Sequence, residues 1–158
     1  MSKINFQDLP NTTTPLNATN LNEIQKPDVI TVTLSANQSN NSEESTVVFN
    51  TTEYSLGNIF TLQQDGGIKC NVACSIEINA TIRFGYSGAS TKEMIIYKNS
   101  TNIRNTSQQN MTANTQTISG FYTSVNANDV IYLKGKSGGG EISSFIMTGT
   151  HLSLKRIN

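Results

Sequence analysis

The sequence has little charge. Asp, Glu, Lys and Arg make up 14% of its 158 residues and balance to a formal net charge of zero, whereas ordinary domains carry about 25% charged residues. Phosphate binding needs a clustered excess of Lys and Arg, so this composition argues against a nucleic-acid partner. It also removes any electrostatic attraction to an anionic membrane. Asn, Thr and Ser are abundant instead, and a neutral surface of amides and hydroxyls is typical of a protein that works outside a cell or contacts sugars.

Residues suited to catalysis or metal binding are also few. The only histidine is His151, which excludes any site that needs two. Cys70 and Cys74 form a CxxxC pair that lacks the second ligand pair of a zinc site. No local pattern marks a strained nucleophile turn. We therefore expect no enzyme activity, no metal and no cofactor.

Long hydrophobic segments are missing. The longest apolar runs, residues 94–97 and 130–133, are far shorter than a membrane span of about 20 residues. Residues 1–10 contain one Lys and no apolar segment of the kind found in signal peptides. The sequence therefore predicts a protein that folds in a cytoplasm, without membrane insertion.

The two cysteines have two further interpretations. A disulfide could close a tight loop if the Cα atoms of Cys70 and Cys74 approach to about 6 Å. Alternatively, both thiols are reduced and lie near a strand end. We favour the reduced thiols, because disulfides are rare in proteins that fold in a cytoplasm.

Proline is confined to the start of the chain. Pro10, Pro15 and Pro27 are the only prolines, and all precede Val29. After that residue the sequence turns into alternating β-strand patterns. This change predicts two parts, an N-terminal anchor segment of residues 1–28 and a head domain of residues 29–158.

The anchor segment contains one stretch with helical character. Residues 18–25 can form a brief helix, along which Leu16, Leu21 and Ile24 would make a small apolar stripe. A stripe this short cannot stabilise a helix in isolation. It needs a partner, which is the head domain, a neighbouring copy or another protein. We expect these three residues to attach the domain to something else.

Alternation of apolar and polar residues dominates the rest of the chain. The stretch CSIEINATIRF places every second residue from Ile76 to Phe84 on one apolar face, which is the pattern of a half-buried strand. Further strands are predicted at residues 29–34, 46–50, 58–63, 67–70, 93–98, 115–125, 129–135 and 145–156. Short strands with regular turns and no helical period predict an all-β, antiparallel jelly-roll sandwich of about ten strands.

Turn residues separate these strands. The triplet Asp65-Gly66-Gly67 predicts a tight reversal, because Gly and Asp favour the positive φ angles of such turns. A second short reversal is predicted at residues 98–102. The short stretch NAND at residues 126–129 predicts that the strands on either side are hairpin neighbours.

The order of these elements resembles the ten-stranded jelly roll of tumour necrosis factors and complement-type globular heads. The resemblance covers roughly residues 29–158 and lies in FTLQQDGGIKCNVACSIEINATI, MIIYKNSTNIRN, ISGFYTSVNANDVIYLKG and the closing THLSLKRI. A KN hairpin and an ND turn match the family. The ACS at residues 73–75 departs from it, because the family has a glycine and an aromatic residue before its long strand.

The opening residues resemble the start of many bacteriophage tail, baseplate and head-fibre proteins. The matching run is DLPNTTTPLNATNLNEIQ, with TPLNATNLN closest, within about the first 25 residues. Together with a jelly roll and no signal peptide, this resemblance implies a virion protein that is made in the host cytoplasm and released by lysis. Residues 1–28 would then dock on other phage structural proteins.

The resemblance to tumour necrosis factors also implies a homotrimer, in which one sheet of each copy packs about a three-fold axis. Strict alternation along TISGFYTSV places Phe121 and Val125 in the sandwich, and Ile118 and Tyr122 outside it. The leucines of HLSLKR would face the core, which leaves His151 on the outer side. Ile118, Tyr122 and His151 are therefore predicted at the trimer interface, the alternative being that they are ordinary rim groups.

Three functions fit these patterns. The first is a receptor-binding tail-fibre or baseplate head that contacts a host cell-wall saccharide, with Tyr86, the one tyrosine in a predicted loop, as a candidate for stacking on sugar. The second is a virion decoration or baseplate assembly protein that binds only other phage proteins. The third is a bacterial surface or spore-coat jelly roll. Such proteins usually carry collagen-like Gly-X-Y repeats, which are absent from this sequence.

Overall fold

A computed structural model describes residues 27–40, 44–85, 91–108, 115–137 and 144–157. In these ranges the chain forms strands and turns but no helix. The strands are β1 Val29–Thr33, β2 Gln38–Asn40, β3 Ser45–Thr46, β4 Thr51–Leu56, β5 Phe60–Leu62, β6 Ile68–Cys70, β7 Cys74–Arg83, β8 Lys92–Lys98, β9 Thr101–Gln108, β10 Thr115–Val125, β11 Val130–Ser137, β12 Ser144–Ile146 and β13 His151–Arg156.

Several predictions fall outside the described residues. They are the helix at residues 18–25, its apolar residues Leu16, Leu21 and Ile24, and the proposed sugar contact Tyr86. The division between an anchor segment and a head domain, and the roles of these four residues, therefore stay predictions.

The strands form two antiparallel sheets. The five-stranded sheet has the order β10-β7-β13-β1-β4, and the six-stranded sheet has the order β5-β6-β11-β8-β9 with β3 paired to β11. A separate pair joins β2 and β12. Buried residues from both sheets share one hydrophobic core. This arrangement confirms the predicted all-β jelly-roll sandwich.

The long strand β7 shows why the sequence forms a sandwich. Its even-numbered residues from Ile76 to Ile82 are buried, and the odd-numbered residues between them are half-buried on the outer side. In the neighbouring strand β13, Leu152 and Leu154 are buried as predicted. Burying one aliphatic side chain contributes about 1.5–3 kcal/mol, so this alternation fixes which face of the sheet meets the core.

Both predicted reversals are present. Strands β5 and β6 form a hairpin with Leu62 opposite Ile68, and Gly66 in its turn has a φ of 87°. A Cβ atom at Gly66 would lie 2.4 Å from the carbonyl oxygen of Val47, so the position has no room for a side chain. Strands β8 and β9 are joined by a tight turn in which Asn99 has a φ of 56°, a left-handed conformation that asparagine tolerates.

The prediction that residues 126–129 join hairpin neighbours is wrong. Strand β10 pairs with β7 in the five-stranded sheet, whereas β11 pairs with β6 and β8 in the other sheet. Asp129 organises the loop by accepting hydrogen bonds of 2.8 Å from the backbone nitrogen of Asn126 and from the side chain of Asn99. The backbone nitrogen of Cys70 donates to the carbonyl oxygen of Asp129 over 2.8 Å. These bonds attach the loop to the six-stranded sheet, so the chain crosses between sheets here.

The predicted closing strand at residues 145–156 is divided in two. Strand β12 ends at Ile146 and β13 begins at His151, with a turn between them in which Gly149 has a φ of 85°. The divided segment therefore belongs to two sheets, because β12 pairs with β2 and β13 pairs with β1 and β7.

Cys70 and Cys74 are free thiols, as the sequence favoured. Burial of Cys70 raises its pKa to about 12. Burial also raises the pKa of the half-buried Cys74. Both side chains are therefore protonated thiols at neutral pH.

Candidate subunit interface

The outer face of the five-stranded sheet is broad and mainly polar, with few charged side chains. Side chains alternate along each strand, so the residues between buried ones point away from the core. Strand register aligns them in rows across the sheet from β4 to β10: Thr51, Thr33, His151, Thr81 and Thr117; then Tyr54, Thr31, Ser153, Asn79 and Ser119; then Leu56, Val29, Lys155, Glu77 and Tyr122. We call these residues the polar face. Its acidic and basic side chains include Lys155 and Glu77, and Arg83 lies beside it at the end of β7.

Short side chains of the polar face bond to one another across strands. The hydroxyl of Thr31 donates to that of Ser153 over 3.1 Å, and the hydroxyl oxygens of Thr81 and Thr117 lie 3.2 Å apart. Thr and Ser have few rotamers, and these bonds restrict them further. Covering these Thr and Ser side chains with another surface would therefore cost little side-chain entropy.

Asn79 holds a β-bulge at the edge of the polar face. Strand β10 contains one extra residue between the paired positions Ile118 and Phe121, so Ser119 and Gly120 both lie opposite Asn79. The side-chain oxygen of Asn79 accepts hydrogen bonds from the hydroxyl of Ser119 over 3.1 Å and from the backbone nitrogen of Gly120 over 2.8 Å. Gly120 has a φ of 62°, the left-handed conformation that glycine supplies in one class of bulge.

This bulge makes the predicted orientation of Ile118 wrong. Strict alternation placed Ile118 on the side opposite to Phe121 and Val125, but the extra residue reverses the alternation within β10. All three side chains therefore turn toward the core. Ile118 is only 5% exposed and is part of the core cluster, so it does not present a surface to a second subunit.

Tyr122 points outward, as predicted, and is 59% exposed. A second tyrosine of the polar face, Tyr54 on β4, was not predicted from the sequence and is 50% exposed. Strand β4 is an edge strand with the polar sequence TTEYSL, so hydrophobic alternation could not reveal it. Large, exposed aromatic side chains with a polar tip are enriched at protein interfaces.

His151 also lies on the outer side of its strand, as predicted, and is half-buried. In register it stands between Thr33 and Thr81. Strand β7 lies between the strands of His151 and Tyr122, and their partners on it, Thr81 and Glu77, are four residues apart. With ordinary sheet spacings, His151 and Tyr122 are roughly 16 Å apart. The two predicted interface residues thus share one face without touching.

The outer face of the six-stranded sheet has a different character, because it carries bonded charges. The Lys134 ammonium lies 2.8 Å from the Glu44 carboxylate and 4.0 Å from the centre of the Tyr97 ring. Tyr97 donates a hydrogen bond of 3.1 Å to the same carboxylate. Burial alone would raise the pKa of Glu44, but the hydrogen bonds from Lys134 and Tyr97 outweigh it and lower that pKa.

Neither a metal-binding cluster nor a membrane-spanning helix occurs in the described ranges. No group of three or more His, Cys, Asp or Glu side chains there is arranged to hold a metal ion. None of the described residues belongs to a helix with the length and hydrophobicity of a membrane span.

Comparison with known proteins identifies the fold. No protein-family model matches the sequence, and no curated protein matches it significantly. Murine APRIL is similar in structure, with a TM-score of 0.67 at 13% identity over 84% of this chain and 100% of that chain. PRD1 vertex protein P5 gives 0.64 at 14% identity over 83% and 97% of the two chains. Eiger TNF from S. frugiperda gives 0.52 at 12% identity over 85% and 94%.

Identities this low establish shared architecture and nothing about activity. The match extends over nearly the whole of each neighbour. The chain therefore has the jelly-roll fold that the tumour necrosis factor ligands and PRD1 vertex protein P5 have in common.

Proposed function

We propose that this protein is a homotrimeric head of a phage virion, which docks on the particle through residues 1–28 and contacts host-surface saccharide with its jelly roll. The observation that carries the proposal is the polar face, a wide outer sheet surface with exposed Tyr122 and Tyr54 and few charged side chains. The fold of this chain is also the fold of PRD1 vertex protein P5. The protein is proposed to have no enzyme activity.

The polar face suits contact between identical copies. A rotation axis brings the same residues of each subunit together, so a face with many charges of one sign would repel itself. On the polar face one Lys and one Glu are opposite each other, Lys155 and Glu77, and the remaining residues are mainly hydroxyls, amides and the two tyrosines. Tyr122 would supply a large contact, because its aromatic side chain is largely exposed on the edge strand β10.

Oligomeric mass tests the trimer. Light scattering of the full chain should give a mass near three times 17.2 kDa. The change Tyr122→Lys should shift the mass toward that of a single chain, because each of the three subunits would then place a positive charge in the contact. Asn102→Lys adds the same charge at an exposed residue of β9 on the six-stranded sheet and should leave the trimer intact. A wild-type protein that is monomeric at all concentrations would contradict the proposal.

Virion attachment and host binding need a separate test. Purified protein should bind host cells or wall polysaccharide under conditions in which whole phage adsorb, and three weak sites on one trimer would strengthen that binding. Removing residues 1–25 should abolish incorporation into particles. Incorporation without any cell binding would instead support the second candidate, a decoration or baseplate assembly protein, which the similarity to a vertex protein favours.

A further inference from the structure

A groove of about 540 Å³ lies on the outer face of the six-stranded sheet. Small-molecule sites in proteins usually enclose roughly 300–1,000 Å³. Strand β11 supplies the floor, and the segment after β3, the β5–β6 turn and the β8–β9 turn supply the sides. The lining residues are Thr46, Val48, Gln64, Asp65, Asn99, Ser100, Tyr132 and Lys134. The groove faces away from the polar face, so a trimer built on the polar face would leave it open.

One side of the groove is held by Gln38. Its side-chain nitrogen donates to the carbonyl oxygen of Thr46 over 2.5 Å, and its side-chain oxygen accepts from the backbone nitrogen of Val48 over 2.8 Å. The backbone nitrogen of Val47 donates to the carbonyl oxygen of Leu133 in β11 over 2.9 Å. These bonds fix the segment while the Val48 side chain stays 41% exposed.

The opposite side is held by Asn99. Its backbone nitrogen donates to the carbonyl oxygen of Val130 over 2.7 Å, and its side-chain oxygen accepts from the nitrogen of Val130 over 2.9 Å. The side-chain nitrogen donates to Asp129 over 2.8 Å. Both sides of the groove are therefore ordered before any ligand arrives, which lowers the entropy cost of binding.

Tyr132 and Asp65 form the polar centre of the groove. The Tyr132 hydroxyl donates to one carboxylate oxygen of Asp65 over 2.9 Å, and the other oxygen accepts from the backbone nitrogen of Gly67 over 3.1 Å. A Cβ atom at Gly67 would lie 2.5 Å from the Tyr132 ring, so the ring packs closely against that backbone. A carboxylate has about four acceptor positions, and two of them remain for a ligand.

The remaining polar groups match a neutral ligand. Lys134 is already paired with Glu44, so it offers little attraction to an anion, and the Asp65 carboxylate would repel one. The side chains of Gln64 and Ser100 line the groove and make no hydrogen bond to any described residue. Both can donate and accept hydrogen bonds.

We infer that this groove binds a neutral pyranose sugar, with one face of the sugar ring on Tyr132 and its hydroxyls donating to Asp65. The apolar C–H face of a pyranose can pack on an aromatic ring, while its hydroxyls need acceptors and donors of the kind that Asp65, Gln64 and Ser100 provide. This assignment rests on the saccharide contact of the proposed function and gives it a site.

Saturation-transfer NMR with the full chain tests the inference. The probes are N-acetylglucosamine and the methyl glycosides of glucose, galactose and mannose, with N-acetylneuraminic acid as the anionic control. At least one neutral probe should bind and the anion should not. Tyr132→Ala and Asp65→Asn should each weaken binding roughly tenfold or more, because each removes a main contact. Asn at residue 65 keeps an oxygen for the Gly67 bond.

Control variants separate binding from folding. Val72→Lys adds the same charge as Val48→Lys at an exposed valine outside both the groove and the polar face, and it should leave sugar binding unchanged. Val48→Lys narrows the groove from an exposed position, so it should abolish binding even if Tyr132→Ala does not fold. Absence of a signal from every neutral probe, or binding that survives both Val48→Lys and Asp65→Asn, would overturn the inference.

Adsorption to host cells separates the two proposals. If the protein adsorbs but Val48→Lys and Asp65→Asn adsorb equally well, the groove assignment fails and the proposed function stands. If the groove binds sugar but the protein neither adsorbs to cells nor joins particles, the proposed function fails and the groove assignment stands.

Discussion

The side-chain oxygen of Asn79 lies 2.8 Å from the backbone nitrogen of Gly120, on the neighbouring strand. The same oxygen accepts from the hydroxyl of Ser119, so one amide holds both residues of the bulge in β10. The bulge turns Ile118 inward and leaves Tyr122 outward. The Asn79 side chain thus stabilises the bulge, and the bulge places Ile118 in the core and Tyr122 on the polar face.

Replacing Asn79 by Ala should lower the free energy of unfolding by about 1–3 kcal/mol, because the Gly120 nitrogen loses its acceptor. Urea denaturation of both proteins measures the change. Thr81→Ala is the matched control, because Thr81 lies on the same strand and face and bonds only to a hydroxyl; it should change stability by about 0.5 kcal/mol or less. All samples need one protein concentration, since subunit association adds to apparent stability. Equal losses in the two variants would contradict the role assigned to Asn79.

Gly66→Ala should be much more destabilising than Gly120→Ala. Both glycines have positive φ, which costs another residue about 1–3 kcal/mol. A Cβ atom at Gly66 would in addition lie 2.4 Å from the carbonyl oxygen of Val47, whereas at Gly120 the nearest atom is the Tyr122 hydroxyl at 4.0 Å. Thermal melts of both variants provide the comparison. Similar melting temperatures would show that the Val47 segment can move away.

Acid should reduce stability partly through Asp129. The hydrogen bond from the Asn126 backbone, followed by that from the Asn99 side chain, lowers the pKa of Asp129 below its ordinary value of 3.8. A lowered native pKa stabilises the fold above the unfolded-state pKa, and this stabilisation is lost as pH falls through the native pKa. Asp129→Asn should therefore melt lower than the wild type at pH 7, and the gap should narrow below about pH 4. A gap that stays constant across this pH range would contradict the assignment.

The two thiols should react very differently. With a pKa of about 12, Cys70 is a thiolate in roughly one molecule in ten thousand at pH 8, and it is also buried. Iodoacetamide should label the native protein slowly and only at Cys74, which is partly exposed, whereas unfolding in denaturant should make both thiols reactive. Mass spectrometry counts the labels. Cys74→Ser should leave the native protein almost unlabelled, and fast labelling of that variant would mean that Cys70 is accessible.

The strands that are easy to predict from the sequence are those with one buried face. Strands β1, β7 and β13 alternate apolar and polar residues. The buried residues are the apolar ones, so the sequence pattern alone predicts these strands. Strands β4 and β9 were missed because they are edge strands with mostly exposed polar residues, and backbone pairing holds them without a hydrophobic signature.

The candidate sites depend on contacts that sequence spacing cannot show. Alternation predicted the outward orientation of Tyr122 and of His151. It did not predict the inward orientation of Ile118, because the bulge in β10 depends on cross-strand partners such as Asn79. In the groove, Tyr132 and Asp65 are 67 positions apart in the sequence. Only the pairing of distant strands brings such residues together.

The place of β13 in the sheet has a consequence for synthesis. Among the described strands β13 is made last, yet it lies between β7 and β1, and Leu152 and Leu154 complete the core there. Strand β1 has no partner on that side until residue 151 has left the ribosome. A chain that terminates early thus lacks the middle of the five-stranded sheet, and the polar face cannot form. In the proposed trimer, a subunit without β13 would therefore offer its neighbours no polar face.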